Sequence, residues 1–109
     1  MDQDRREYPR LDVSLRVSYR ILESLGEHEQ TVTQDVSERG VRIPLQEGLE
    51  EGTRLELAIY IPRDPEPVYA IGKVVWSRGN SGTQLFETGI HLVHIKQDDQ
   101  DRLYKFALL

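Results

Sequence analysis

From Val13 to Ile21 the chain alternates: Val13, Leu15, Val17, Tyr19 and Ile21 are apolar, and Ser14, Arg16, Ser18 and Arg20 separate them. Successive side chains of a strand point to opposite faces, so this period of two predicts a half-buried strand. The polar stretch from Glu23 to Gln30, with Gly26, reads as a hairpin loop leading to a strand near Thr31 to Val36. Gly40 to Leu45 is the next short apolar run. Leu55, Leu57, Ile59 and Ile61 alternate again until PRDPEP at 62–67 stops the pattern. Proline fixes φ and cannot donate to a strand ladder, so these residues form a loop. Val68 to Ser77 resumes as strand, RGNSG at 78–82 predicts a turn, and Thr83 to Ile95 contains the last strand. Gly89 inside that run suggests a bulge or a bend.

The period changes at the end. Leu103, Phe106 and Ala107 stand at i, i+3, i+4 spacing and predict an amphipathic helix over 98–109, with Asp98 or Asp99 as N-cap and Lys105 nearer the C-terminus. Six strands at short, turn-bounded spacings followed by one helix predict an all-β fold. The architecture is a six-stranded antiparallel barrel, or a sandwich, with the C-terminal α-helix packed on one side. At 109 residues the chain is read as one domain.

Composition narrows the function. There is no cysteine, so no disulfide framework, thiol nucleophile or cysteine zinc site. No run of 18 or more apolar residues and no apolar stretch after Met1-Asp2-Gln3-Asp4 predict a cytoplasmic protein without membrane insertion. The net charge of -5 argues against a nucleic-acid polymer as partner, since such binding rests on many contacts from Lys and Arg to phosphates. A small anionic ligand needs only one local positive spot.

Catalytic chemistry is thinly represented. His91 and His94 are three apart, which in a regular strand puts one in the core and one at the surface and prevents them from chelating one metal. His28 lies in a predicted loop beside Glu27 and Glu29, where a solvated role is expected. Ser14, Ser18 and Ser37 have no base partner evident in the sequence, and no phosphate-loop or dinucleotide fingerprint occurs. The expectation is a protein that is not an enzyme and carries no metal or cofactor.

Two stretches stand out. DVSERG, Asp35 to Gly40, lies between two predicted strands, where Asp and Ser stabilise turns and Gly40 allows positive φ or close approach of another group. In an extended segment Asp35 and Ser37 also project to one face, side by side. Such a pair suits the N1–H and 2-amino edge of guanine, which offers only donors. RREYPR, residues 5–10, collects Arg5, Arg6 and Arg10 just before the first strand, and Pro9 excludes a regular helix interior. Guanidinium grips phosphate oxygens bidentately, pairs with guanine O6 and N7, and stacks on bases. By composition alone the same residues read as a solvated, frayed basic terminus.

Together, in this order and with a strand and hairpin between them, the two stretches resemble the signature of the PilZ domain family, bacterial receptors for the second messenger cyclic di-GMP. The family's R-x-x-x-R is matched by Arg6-Glu7-Tyr8-Pro9-Arg10 and its D/N-x-S-x-x-G by Asp35-Val36-Ser37-Glu38-Arg39-Gly40. GKVVWS at 72–77 and TGIHLVHI at 88–95 are similar to two further strands of the family, with Leu92 where the family often has Phe.

The resemblance implies a six-stranded β-barrel with a helix across one end and cyclic di-GMP held on the outer surface by an N-terminal arm, residues 1–12. Carried over, Arg6 and Arg10 bind phosphate and guanine, Asp35 and Ser37 meet a guanine edge or the ligand backbone, and Gly40 permits close approach. Arg5 stands where the family can add an arginine that holds a second, stacked nucleotide. Trp76 either stacks near the site or belongs to the core or the barrel rim. The function implied is a signalling sensor whose arm settles onto the barrel with ligand and alters the surface offered to a protein partner. The alternative is an interaction module of the same fold that works through an apolar patch independently of the nucleotide.

Overall fold

The structure, a computed structural model, describes residues 10–108. Its elements are β1 (Arg16–Ile21), β2 (Glu29–Val32), β3 (Asp35–Val36), β4 (Gly40–Leu45), β5 (Arg54–Tyr60), β6 (Val68–Asn80), β7 (Leu85–Ile95) and α1 (Gln97–Leu108). The strands form one antiparallel sheet in the order β2-β1-β5-β6-β7-β4-β3. Its two edge strands, β2 and β3, are consecutive in the chain, so the sheet curls into a half-barrel with a seam at Thr33 and Gln34. Thr31 closes part of that seam by donating its hydroxyl to the Pro44 carbonyl at 2.7 Å.

Seven strands replace the expected six because the run from Thr31 to Val36 breaks in two. Glu29 to Val32 pairs with β1, whereas Asp35 and Val36 pair with β4. The break falls at Thr33, which is fully buried and holds the preceding segment from both sides. Its amide donates to Leu15 O at 2.8 Å, its hydroxyl accepts from Leu15 N at 2.9 Å, and the same hydroxyl donates to Val13 O. A buried hydroxyl must find such partners, and here they turn the chain from one edge of the sheet to the other.

The alternating positions build the interior. Val17, Leu55, Leu57, Ile59, Val68, Val74, Ile43, Leu45 and Ile90 all point inward and are buried, while Glu56, Lys73 and His91 point outward. Two irregularities shift this alternation. Val75 is an extra residue on β6 between the pairs Val74–Ile90 and Trp76–Gly89, and Val93 is an extra residue on β7 between Gly72–Leu92 and Ile71–His94. The second bulge overturns the expected division of the histidines: the inserted residue restores His94 to the outer face, and both His91 and His94 are exposed.

The tip of the β6–β7 hairpin also differs from expectation. Arg78, Gly79 and Asn80 are strand, and the turn occupies residues 81–84. Gly79 lies opposite Phe86, and a Cβ on it would come to 3.3 Å from the ring, so this glycine makes room for an aromatic neighbour within the ladder.

Helix α1 begins at Gln97, one residue before the expected start. Asp98 and Asp99 therefore sit in its first turn, where their charge favours the helix dipole, and neither is the N-cap. Leu103 and Ala107 are buried against the barrel with Phe106 beside them. The polar side of the helix reaches the β5–β6 loop: Arg102 donates to Asp64 Oδ2 at 2.8 Å and to the Glu66 carbonyl, and also to Asp99 at 2.7 Å. Gln100 donates to the Glu38 carbonyl at 3.5 Å, touching the turn between β3 and β4.

Candidate functional site

DVSERG folds as a tight hairpin between β3 and β4. Ser37 N donates to Gly40 O at 2.9 Å, and the Ser37 hydroxyl accepts from the amides of Arg39 and Gly40, each at 3.2 Å. Ser37 is 1% exposed, so its hydroxyl is engaged in shaping the turn. Gly40 does not use positive φ. It is the contact with β7 that demands glycine, because a Cβ there would lie 2.7 Å from the Ile90 carbonyl oxygen. The turn is tied to β7 a second time by Leu92 N donating to Arg39 O at 2.8 Å.

Just before β1, Leu11 forms an isolated two-bond bridge with Val36: each amide donates to the other residue's carbonyl, at 2.9 and 3.0 Å. That bridge delivers Arg10 to Asp35. Arg10 Nη2 donates to Asp35 Oδ1 at 2.9 Å, and Arg42 Nε donates to Asp35 Oδ2 at 2.9 Å. The Asp35 side chain is 11% exposed, a setting in which a carboxylate requires cations or donors close by. Arg42 reaches on to Glu87 Oε1 at 3.4 Å, and Gln34 donates to the other Glu87 oxygen at 3.5 Å.

The two arginines border a pocket of about 210 Å³ whose lining includes Arg10, Ser37, Arg39, Gly40, Arg42 and Trp76. Trp76 is half-buried at its rim. Its indole lies over Gly89, where an added Cβ would fall 2.3 Å from the ring nitrogen, and the Arg78 guanidinium stands 5.0 Å from the ring centre. Gly89, expected to mark a bulge or a bend, lies opposite the bulge at Val75 and is the floor beneath the tryptophan. The pocket presents three arginines and an aromatic edge on a protein of net charge -5, an arrangement that suits an anionic ligand with a planar base.

Four of the seven residues expected from the sequence, Arg10, Ser37, Gly40 and Trp76, line this one pocket, and Asp35 is bound to two of its arginines. Arg5 and Arg6 lie outside the described residues. The sequence reading missed Arg42, Glu87 and Gln34. Arg42 was within reach of it: once DVSERG is a two-residue turn centred on Glu38 and Arg39, antiparallel register places Asp35 opposite Arg42. Glu87 comes from a distant strand and carries no local signal. A larger concavity of about 600 Å³ on the outer face of β5, β6 and β7 is lined by Tyr69, Ile71, Val93 and His94 among others, and none of the expected site residues borders it. Among the described residues no cluster of three or more His, Asp or Glu is placed to hold a metal ion. None of their helices is long and apolar enough to cross a membrane.

The sequence profile of the PilZ domain matches residues 4–108. The chain belongs to the PilZ domain family. The same fold occurs in Bacillus subtilis inhibitor of motility (MotI/DgrA), with 22% identity, a TM-score of 0.81 and 97% of this chain covered. It occurs in the PilZ domain of Escherichia coli YcgR, solved with c-di-GMP, at 12% identity and a TM-score of 0.73 over 96% of this chain and 90% of that one. The K. pneumonia MrkH–c-di-GMP complex aligns at 15% identity and a TM-score of 0.71 over 97% of this chain. This PilZ domain spans about half the length of MotI and of MrkH, 51% in each case. No match is found among curated protein sequences.

Proposed function

We propose that this PilZ domain is a receptor for cyclic di-GMP, a non-catalytic sensor that converts nucleotide binding into a changed arm conformation read by a protein partner. The observation that carries the reading is the meeting of Arg10, Ser37, Gly40 and Trp76 at one pocket, with Arg10 already paired to Asp35. Two of the structural relatives were solved with that nucleotide. Arg10 and Arg6 take phosphate oxygens and the guanine O6 and N7 edge, for which the guanidinium fork is suited. Arg5, next to Arg6 in the sequence, supplies a further guanidinium for a second, stacked nucleotide. Asp35 accepts from the guanine donor edge, and Trp76 and Arg78 offer a surface for base stacking.

Binding in this scheme requires an exchange. Arg10 leaves Asp35 Oδ1 for the ligand, and the oxygen it vacates accepts from guanine. The partner-facing change follows from the neighbours of the turn, since α1 touches Glu38 and β7 is bonded to Arg39.

Thermal unfolding tests the reading, because a ligand that binds only the folded state raises the midpoint by mass action. Cyclic di-GMP is expected to raise it steadily with the logarithm of its concentration, cyclic di-AMP to leave it unchanged, and Arg10→Ala to abolish most of the shift. No shift up to about 100 µM cyclic di-GMP, far above the micromolar range of a specific site, would overturn it.

A further inference from the structure

We propose that Arg42 is a positioning residue of this site, holding the Asp35 carboxylate in place so that it reads the donor edge of guanine once Arg10 has turned to the ligand. The inference rests on the cyclic di-GMP reading above. Arg42 faces Asp35 directly across the β3–β4 ladder and donates to Oδ2 at 2.9 Å. Its other end is held by Glu87 at 3.4 Å, on β7, and Glu87 is itself bonded to Gln34. Arg42 is therefore fixed between strands. Arg10 differs: it approaches Oδ1 from the segment ahead of β1, tied to the sheet by the bridge at Leu11.

The two arginines on Asp35 are thus unequal partners. A phosphate competes for an arginine as a better charged acceptor geometry than a single carboxylate oxygen, and Arg10 is the one able to move toward it. Asp35, only 11% exposed, is then held in its orientation by Arg42. A carboxylate has room for about four donors, so Oδ1 accepts from guanine while Oδ2 stays bound. Without Arg42, moving Arg10 would strip Asp35 of both cations at once. Discrimination among purines follows from the same geometry. Guanine offers N1–H and its 2-amino group to the carboxylate, hypoxanthine offers N1–H alone, and adenine presents an acceptor that the carboxylate repels.

Titration calorimetry with cyclic di-GMP and with its inosine counterpart, which lacks the 2-amino groups, tests this on the wild type, Arg42→Ala, Arg42→Lys and Glu87→Gln. The wild type is expected to favour the guanine form by about tenfold, the worth of a hydrogen bond to a charged group. Arg42→Ala should weaken cyclic di-GMP binding and compress that preference to about twofold, because the carboxylate no longer holds its direction. Arg42→Lys, which keeps one donor to Oδ2, should restore part of the preference, and Glu87→Gln should lower it less than the alanine variant does. Equal loss for both nucleotides in Arg42→Ala, or an unchanged preference, overturns the proposal while the receptor reading stands. Failure of the wild type to bind either nucleotide overturns both. If Arg42→Ala does not fold, the lysine and Glu87 variants make the same comparison.

Discussion

Gly40 belongs to a sequence motif associated with ligand binding, yet its first constraint lies within the fold. A Cβ at this position would meet the Ile90 carbonyl at 2.7 Å, a backbone atom that cannot rotate aside. Gly40→Ala should therefore destabilise the protein in the absence of any nucleotide, by about 1–3 kcal/mol as for other overpacked sites. Urea unfolding of the ligand-free variant checks this, and a wild-type midpoint would show that Gly40 serves the ligand alone. Ser37 is a parallel case: its hydroxyl binds two amides of its own turn. At this scale the sequence made Asp35, Ser37 and Gly40 visible because their spacing is local. It left Glu87 invisible, because that carboxylate meets Arg42 only through the pairing of β4 with β7. Trp76 was visible as a candidate near the site, but its seat over Gly89 was not, since the bulge at Val75 that places it there has no signature in the alternation.

Among the elements, alternation located the strands and the three prolines located the loop at 62–67. What it did not resolve were breaks made by single buried groups. Thr33 reads as an ordinary strand residue, and only its bonds to Val13 and Leu15 split the expected strand in two. Gly79 reads as a turn residue, and the ring of Phe86 keeps it in the ladder. Helix α1, packed through Leu103 and Ala107, also reaches the β5–β6 loop through the ion pair of Arg102 with Asp64. The hydrogen bond from Arg102, with one from the Glu66 backbone, holds the Asp64 carboxyl below its ordinary value of 3.8. A lowered value means that the contribution is complete above 3.8 and is lost as the pH falls below it, through the lowered value. The pair is solvent-facing, so the effect is small and salt-sensitive. Thermal midpoints of the wild type and Asp64→Asn should differ by a constant amount from pH 7 down to about 5 and converge in more acid solution. A difference independent of pH would show that the loop is held by other contacts.

For the whole molecule, the relevant asymmetry is between a net charge of -5 and a pocket lined by Arg10, Arg39 and Arg42. A compact anion meets the local field of such a pocket and not the net charge alone. The pocket stands where the segment ahead of β1, the β3–β4 hairpin and the β6–β7 pair come together. Occupation of it therefore touches the helix-facing turn and the bulged strand at once.

Calorimetric titration of cyclic di-GMP into the purified chain, beside the same titration into Arg10→Ala, tests the central claim most directly. The wild type is predicted to give a saturable binding isotherm and the variant to lose about tenfold or more in affinity, as expected when charge-assisted contacts to phosphate and guanine are removed. Absence of binding heat at several temperatures, or an Arg10→Ala isotherm that overlays the wild type, would contradict it.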